Sequence, residues 1–191
     1  MEIKDYELVM FDVDGTIADR NEDRLLPIAE DFFDLLHQWA AVANLPRLAL
    51  ATNQGGVALR LWMEDGGWGE PEKYPTLEAV QERLRTIQQQ IPLPITLYVA
   101  YAYQTQKTRE WAPVPIRFVG QPEWSRAWRK PNGGMLQQAM LDHGVKNPQK
   151  VLFVGDRPED REAAVAVGAG FVWVKQFWAE VPNFINLETI L

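Results

Sequence analysis

The sequence predicts an α/β protein with a doubly wound parallel sheet, and three observations support this. Short, continuously apolar runs alternate along the chain with segments of helical periodicity. Such runs are typical of parallel strands whose two faces are both covered by helices. Three of the runs end directly at polar residues, namely Asp12, Thr52 and Asp156. Because ligands of doubly wound sheets bind beyond the carboxyl ends of the strands, these residues are the first candidates for a site.

Five apolar runs are predicted to be the strands of this sheet. Each is short and is bounded by polar residues, glycine or proline, as buried strands usually are. They occupy residues 7–12, 47–51, 95–102, 151–155 and 170–174. A further short run at residues 116–119 is a candidate for an additional strand.

Helices are predicted in the segments between the strands, where apolar residues recur at helical spacing. Thr76 is a candidate N-cap of the second helix and Gly144 a candidate C-cap of the third. The predicted helices cover residues 27–43, 76–90, 132–143 and 160–167. Residues 64–75, rich in glycine and proline, and residues 104–130, which lack apolar periodicity, are predicted to be loops.

Length and composition limit the functions that are open to this chain. The 191 residues predict one domain over residues 1–191, long enough to bury a sizeable core. The absence of cysteine excludes disulfides, thiol nucleophiles and thiolate metal sites, and there are only two histidines. Chemistry must therefore come from carboxylates, hydroxyls and a few cations. The net charge of −7 argues against a general nucleic-acid binder.

The sequence carries no sign of a membrane. It lacks the basic stretch and apolar segment of a signal peptide at its start. It also lacks a run of about 18 apolar residues, so no membrane span is predicted. We expect a cytoplasmic protein with no membrane partner, and no feature indicates an oligomeric state.

The first motif of chemical interest is FDVDGT, residues 11–16, which ends at Thr16. Gly15 permits a sharp turn, so that Asp12 and Asp14 can point into one site. Like charges this close are costly unless a cation or a proton is shared between them. Oxygen ligands favour Mg²⁺ over Zn²⁺ as that cation. The alternative is an Asx turn followed by a helix N-cap.

A second motif, TNQGG at residues 52–56, follows the second predicted strand. It offers the hydroxyl of Thr52 and the amides of Asn53 and Gln54. With the backbone N–H groups at the start of a following helix, these groups can bind a phosphoryl oxygen. The alternative is an ordinary turn from strand to helix.

Two further motifs supply cations and carboxylates. Arg129 and Lys130 stand directly before a proline, where a lysine can neutralise phosphate charge, although such a pair is commonly a solvated loop. Asp156 ends the fourth strand, and Asp160 follows near the first turn of the next helix, so both can face a metal. For Asp160 the alternative is compensation of the helix dipole.

In this order and at these strand ends, the four motifs resemble the haloacid dehalogenase (HAD) superfamily, in its Asp-dependent phosphatase branch. The resemblance extends from Asp12 to Asp160 and implies a Rossmann-like fold. TNQGG at residues 52–56, paired with RKPNGGM at residues 129–135, is most similar to one compact class. That class contains histidinol-phosphate, heptose-bisphosphate and polynucleotide 3′-phosphatases.

The resemblance implies a phosphoric monoester hydrolase that works through an aspartyl-phosphate. Asp12 is expected to be the nucleophile, and Asp14 to be the general acid and base. Thr52 and Asn53 are expected to bind the transferring phosphoryl group. Lys130 is expected to balance its charge.

The resemblance also implies a Mg²⁺ site held by Asp12, Asp156 and the backbone carbonyl of Asp14. Asp160 is expected beside this metal, or beside Lys130, which it would orient. The positions expected to support the site are Gly15, Thr16, Gln54, Arg129, Arg157 and Asp160.

Three features depart from the relatives. Heptose-bisphosphate phosphatases often carry a Cys/His zinc loop before the lysine motif, whereas residues 101–128 contain neither residue type. Packing must therefore hold this stretch, and Trp111, Trp124 and Trp128 are the candidates. Arg157 stands where related chains often have lysine. The segments that carry cap domains in relatives are short, so we expect a minimal cap or none, and an open site.

Residues 104–130 leave two substrate classes open. They contain six basic and two acidic residues interleaved with three tryptophans, a composition that suits single-stranded nucleic acid. On that hypothesis the enzyme is a 3′-phosphatase acting on nucleic-acid ends. If the tryptophans instead fill gaps in the core, which we favour, the substrate is a small phosphate ester such as a sugar phosphate. A third hypothesis is a non-catalytic module that binds phosphate and Mg²⁺, although all the charged motif positions are intact.

Overall fold

One sheet of five parallel strands organises the part of the chain that the structure describes. The structure is a computed structural model and describes residues 3–40 and 45–184. The strands are β1 (Leu8–Phe11), β2 (Arg47–Asn53), β3 (Ile95–Ala100), β4 (Val151–Gly155) and β5 (Gly170–Trp173). Their order in space is β3-β2-β1-β4-β5, so the winding direction reverses beside β1. This reversal is a topological switch point, where doubly wound sheets bind their ligands.

The registers align the carboxyl ends of the three central strands. Phe11 of β1 pairs with Leu50 of β2 on one side and with Val154 of β4 on the other. The backbone N–H of Asp12 then donates to the carbonyl of Val154 at 2.9 Å, which extends the pairing by one residue. The polar residues that follow these strands therefore lie side by side at one edge of the sheet.

Both faces of the sheet are covered by helices, as the continuous apolar runs predict. The helices of the described residues are α1 (Pro27–Trp39), α2 (Gly56–Gly66), α3 (Leu77–Gln89), α4 (Gly134–Asp142), α5 (Pro158–Val167) and α6 (Val174–Phe184). Val9 and Phe11 of β1 belong to one core cluster, and Leu8 and Met10 belong to the cluster on the opposite face. The predicted doubly wound α/β fold is thus confirmed.

Several element predictions need correction. The strand predicted at residues 116–119 is wrong, because Ile116–Phe118 form a 3₁₀ turn in which Ile116 is 94% exposed. The preceding Pro115 has no N–H for a strand ladder. Two helices, α2 and α6, were not predicted as elements. α6 follows β5 without any turn residue that would mark a boundary. Residues 41–43 of the first predicted helix lie outside the described residues.

The two segments that could carry a cap are short and irregular. Residues 12–26 form turns joined by isolated bridges, and residues 101–133 contain two 3₁₀ turns, Ile116–Phe118 and Pro122–Trp124, and an isolated bridge between Gln104 and Trp111. Within residues 3–40 and 45–184, no cap domain lies over the cleft at the carboxyl edge of the sheet. No helix among the described residues is both long and apolar enough to cross a membrane.

Candidate active site

A buried ion cluster lies at the carboxyl edge of the sheet. Lys130 Nζ is 2.7 Å from Asp12 Oδ1 and 2.6 Å from Asp160 Oδ1. It also donates to the backbone carbonyl of Ala51, at 2.8 Å. Burial disfavours the charged ammonium, but the two carboxylates outweigh it and raise the pKa of Lys130. Burial also raises the pKa of Asp12 to about 7, although Lys130 acts in the opposite direction.

The side chain of Asn53 fixes the backbone of Lys130. Asn53 Nδ2 donates to the Lys130 carbonyl at 3.0 Å, and the Lys130 N–H donates to Asn53 Oδ1 at 3.1 Å. Both polar ends of the amide are thus occupied by one backbone unit. This clamp joins the end of β2 to the loop before α4, 77 residues further along the chain, and so helps to bring Lys130 beside Asp12. Phosphate binding by Asn53 stays a prediction.

Three carboxylates in this region can hold a metal ion. Oxygen atoms of Asp12, Asp156 and Asp160 lie within 4.8 Å of one another. Asp156 Oδ1 is buried and accepts no hydrogen bond, which suits an atom reserved for a cation. Burial, followed by the negative charge of Asp160, raises the pKa of Asp156. A set made only of oxygen ligands fits a hard divalent cation.

Gly15 and Thr16 turn the chain away from β1 behind these carboxylates. Gly15 has φ of 86°, and a Cβ at this position would lie 2.6 Å from Asp156 Oδ2. The absence of a side chain therefore allows Asp156 to approach the turn. Thr16 is fully buried, and its carbonyl accepts a hydrogen bond from Trp178 Nε1 of α6 at 3.2 Å.

Asp160 has two partners that explain its position. Its Oδ2 accepts a hydrogen bond from the backbone N–H of Arg157 at 3.0 Å and so caps the first turn of α5. Its other oxygen lies beside Lys130. Asp160 thus lies both in the first turn of α5 and beside Lys130, while compensation of the helix dipole and orientation of the lysine stay predictions.

Asp14 is held by two donors at the mouth of the site. Gln54 Nε2 donates to Asp14 Oδ2 at 2.6 Å, and it also donates to the hydroxyl of Thr52 at 3.0 Å. A guanidinium nitrogen of Arg83, from α3, donates to Asp14 Oδ1 at 2.7 Å. Sequence reasoning missed Arg83, because it lies in an amphipathic helix with no motif around it.

Arginine side chains surround the cleft above the ion cluster. The cleft has a volume of about 280 Å³ and is bordered by Arg20, Arg129 and Arg157. One guanidinium nitrogen of Arg129 is buried without a hydrogen-bond partner. It lies where a Cβ on Gly55 would meet it at 2.9 Å, so glycine at that position makes room for the arginine. Sequence reasoning missed Arg20, which lies in a loop without a motif.

Most of the residues predicted from the sequence meet in this cleft. Those that line it are Asp12, Asp14, Thr52, Asn53, Gln54, Arg129, Lys130, Arg157 and Asp160. Asp156, Gly15 and Thr16 are not among its lining residues, although Asp156 lies within reach of Asp12 and Asp160.

The tryptophans of residues 104–130 are used mainly for packing. Trp124 is 2% exposed and stacks on Phe118 with ring centroids 4.1 Å apart. Trp128 is partly buried and donates from Nε1 to the carbonyl of Val99 at 2.9 Å. The ring of Trp111 is covered by the guanidinium of Arg126. These contacts hold the stretch in which relatives often carry a zinc loop.

Comparison with known proteins places this arrangement among phosphatases. Residues 7–178 match the family described as polynucleotide kinase 3 phosphatase. The chain is 31% identical over 175 residues to the D-glycero-beta-D-manno-heptose-1,7-bisphosphate 7-phosphatase of Pseudomonas putida, covering 88% of this chain and 82% of that protein. A crystal structure of a HAD-like phosphatase from Mesorhizobium loti superposes with a TM-score of 0.56 at 17% identity, covering 94% of this chain and 87% of that one.

Proposed function

The chain belongs to the polynucleotide kinase 3 phosphatase family within the HAD phosphatases, and we propose that its substrate is a small phosphorylated metabolite such as a sugar phosphate. As a member of this class it is a phosphoric monoester hydrolase. The observation that carries the substrate proposal is the 31% identity to a heptose-bisphosphate phosphatase, and the chemistry rests on the buried pair of Asp12 and Lys130 at the switch point of the sheet. In the proposed reaction, Asp12 is the nucleophile and Lys130 is a fixed cation beside it, at the base of one cleft.

The reaction we propose has two steps, and both use Asp12 and Asp14. In the first, a carboxylate oxygen of Asp12 bonds to phosphorus, the bond to the ester oxygen breaks, and Asp14 gives that oxygen a proton. In the second, water attacks the phosphorus of the aspartyl-phosphate and Asp14 takes a proton from it. The bond from Asp12 to phosphorus then breaks, which releases inorganic phosphate and restores the carboxylate.

Lys130 and Thr52 are proposed to hold the transferring phosphoryl group. The ammonium of Lys130 is fixed by hydrogen bonds to Asp12 and the Ala51 carbonyl and by the ion pair with Asp160, so it can neutralise phosphoryl charge without rearranging. The hydroxyl oxygen of Thr52 accepts from Gln54, which leaves the hydroxyl proton for a phosphoryl oxygen. Phosphoryl transfer depends mostly on such positioning and charge neutralisation.

The proposed cofactor is Mg²⁺. Asp12, Asp156 and the backbone carbonyl of Asp14 would hold it, with Asp160 beside them. Carboxylate and carbonyl oxygens suit Mg²⁺, whereas zinc in proteins usually takes nitrogen and sulfur ligands. When bound, the ion supplies positive charge that stabilises the phosphoryl oxygens.

The arginines around the cleft favour a substrate with a second anionic group. One buried nitrogen of Arg129 has no acceptor, and Arg20 adds positive charge to the same cleft, whereas Arg157 is paired with Glu159 at 3.5 Å. A sugar bisphosphate would meet both the ion cluster and these cations. The relative from Pseudomonas putida is named for a sugar bisphosphate of this kind.

A 3′-phosphate at a nucleic-acid end is the second candidate substrate. The family match carries that activity in its description, and residues 104–130 include six basic residues against two acidic ones. Against it, Trp124 and Trp128 are occupied by internal contacts, so they do not form an open stacking platform. A non-catalytic module is less well supported, because the nucleophile, the lysine and the acidic triad all lie together.

A panel of phosphate esters tests this proposal. We expect Mg²⁺-dependent phosphate release with the highest kcat/KM on a sugar phosphate or bisphosphate, compared with histidinol phosphate, nucleotides and a 3′-phosphorylated oligonucleotide. Asp12→Asn should abolish release from every ester, whereas Asp34→Asn, on the exposed face of α1, should not. A preference for the oligonucleotide would replace the substrate assignment. Release that persists in the folded Asp12→Asn protein would remove the nucleophile assignment.

A further inference from the structure

Arg83 joins three parts of the molecule that sequence motifs do not connect. We call residues 18–25 the flap, a loop whose ends meet in a bridge between Ala18 and Leu25. From α3, Arg83 Nε donates to the carbonyl of Glu22 at 2.8 Å, and one of its terminal nitrogens donates to the carbonyl of Asp19 at 2.8 Å. The same terminal nitrogen donates to Asp14 Oδ1 at 2.7 Å.

The contact with Asp14 is largely shielded from solvent. The side chain of Arg83 is 18% exposed, and that of Asp14 is 16% exposed. The guanidinium is planar, so two carbonyls from the flap fix the direction in which it meets the carboxylate. With Gln54 on its other oxygen, Asp14 is held from both sides and has one defined orientation.

A second side chain of the same helical segment anchors the flap without touching Asp14. Gln90, just after α3, donates from Nε2 to the carbonyl of Asp23 at 2.6 Å. Its Oε1 accepts from the backbone N–H of Leu25 at 3.1 Å. Gln90 and Arg83 therefore both anchor the flap. Of these two side chains, only Arg83 also contacts the carboxylate of Asp14.

We propose that Arg83 is a positioning residue that orients Asp14 for proton transfer and ties that orientation to the flap. This inference rests on the proposed function, in which Asp14 protonates the departing oxygen. An alkyl ester needs that proton because an alkoxide is a poor leaving group. A 4-nitrophenyl ester needs it far less, because 4-nitrophenolate leaves as a stabilised anion. Loss of orientation should therefore damage one substrate selectively.

The test compares the two kinds of ester in three variants. For Arg83→Gln we expect kcat/KM to fall about 10- to 100-fold on glycerol phosphate and by less than about threefold on 4-nitrophenyl phosphate. Arg83→Lys keeps the positive charge but lacks the planar guanidinium with its several donors. It should therefore show a smaller loss on glycerol phosphate than Arg83→Gln. Gln90→Leu loosens the flap but leaves Arg83 beside Asp14, so it should lower kcat/KM on glycerol phosphate in the same direction as Arg83→Gln and by a smaller factor.

The outcomes separate a positioning role from a structural one. Equal losses on both esters in Arg83→Gln, or a loss on glycerol phosphate that is as large in Gln90→Leu as in Arg83→Gln, would overturn the proposal, and so would unchanged kinetics. Thermal unfolding of each variant, measured beside the kinetics, shows that the comparison is made on folded protein. A wild-type enzyme that hydrolyses neither ester would instead overturn the proposed function. The proposed function does not by itself require a larger loss of kcat/KM on glycerol phosphate than on 4-nitrophenyl phosphate. That difference therefore tests the positioning role of Arg83 separately.

Discussion

Lys130 and Asp12 form a buried ion pair across 118 residues of chain, with 2.7 Å between Nζ and Oδ1. Such a pair is costly to desolvate and is tolerated only where further acceptors complete it. Asp160 and the carbonyl of Ala51 supply them. The pair therefore sits in a preformed polar environment, which is what a phosphoryl group entering the cleft would meet.

Removing the cation from this cluster should destabilise the protein. Lys130→Met leaves Asp12 and Asp160 buried side by side without a positive charge, and we expect a loss of about 3–5 kcal/mol of unfolding free energy at neutral pH. Denaturant unfolding measures it. Lys146→Met, at an exposed lysine, is the matched control and should change stability by less than about 0.5 kcal/mol. Equal stability of the two variants would contradict this account of the cluster.

Binding of Mg²⁺ should weaken as the pH falls below about 7. The pKa of Asp12 is raised to about 7 in the metal-free protein, so below that pH a proton occupies the carboxylate that the metal needs. The affinity for Mg²⁺ is therefore highest above pH 7 and falls by up to about tenfold per pH unit below it. Calorimetric titration with Mg²⁺ at pH 6 and pH 8 checks this.

Two variants accompany that titration. Asp156→Asn removes a carboxylate of the triad and should weaken Mg²⁺ binding at both pH values, whereas Asp34→Asn should not. Affinity that is the same at pH 6 and pH 8 would show that Asp12 does not exchange a proton for the metal.

Arg129 should determine the affinity for a second anionic group. Arg129→Met removes a guanidinium with one buried nitrogen that has no partner, and we expect KM for a sugar bisphosphate to rise about 10- to 100-fold. The KM for 4-nitrophenyl phosphate, which has no second anion, should change by less than about threefold. Steady-state kinetics on both esters decides, with Arg161→Met at an exposed arginine as the control. A parallel rise for both esters would place Arg129 at the transferring phosphate instead.

Gly15 should be required for the approach of Asp156. A Cβ there would lie 2.6 Å from Asp156 Oδ2, in addition to the cost of φ at 86°. Gly144→Ala is a matched control, since Gly144 has φ of 66° with nothing within 4 Å of a Cβ. Both variants should lose about 1–2 kcal/mol of stability through the backbone. Only Gly15→Ala should also weaken Mg²⁺ binding, and equal Mg²⁺ affinities would contradict the close approach.

The fold could be predicted largely from the sequence, because burial on both faces leaves a direct trace in it. Parallel strands such as Val151–Gly155 must be continuously apolar, and these runs were located to within a few residues. Elements without such a trace were missed or misjudged. α6 begins directly after β5, and the apolar residues Ile116 and Val119 are exposed in and just after a 3₁₀ turn.

The site was predictable to the extent that its residues follow strand ends. Asp12, Thr52 and Asp156 come directly after or at the close of strands, and parallel strands place their carboxyl ends at one edge. The sequence alone thus determined the fold class, the phosphatase resemblance and the set of motif residues. Each of these is encoded locally, in hydrophobic pattern or in spacing.

Only the tertiary structure decided which hydrogen bonds and ion pairs those residues form. In this structure the side chain of Asn53 hydrogen-bonds to the backbone of Lys130, and the carboxylate of Asp14 accepts a hydrogen bond from Arg83. One nitrogen of Arg129 is left without a partner in the cleft. The physical reason is that hydrogen bonds and desolvation depend on distances of a few ångströms between segments far apart in the chain, and no local pattern records those distances.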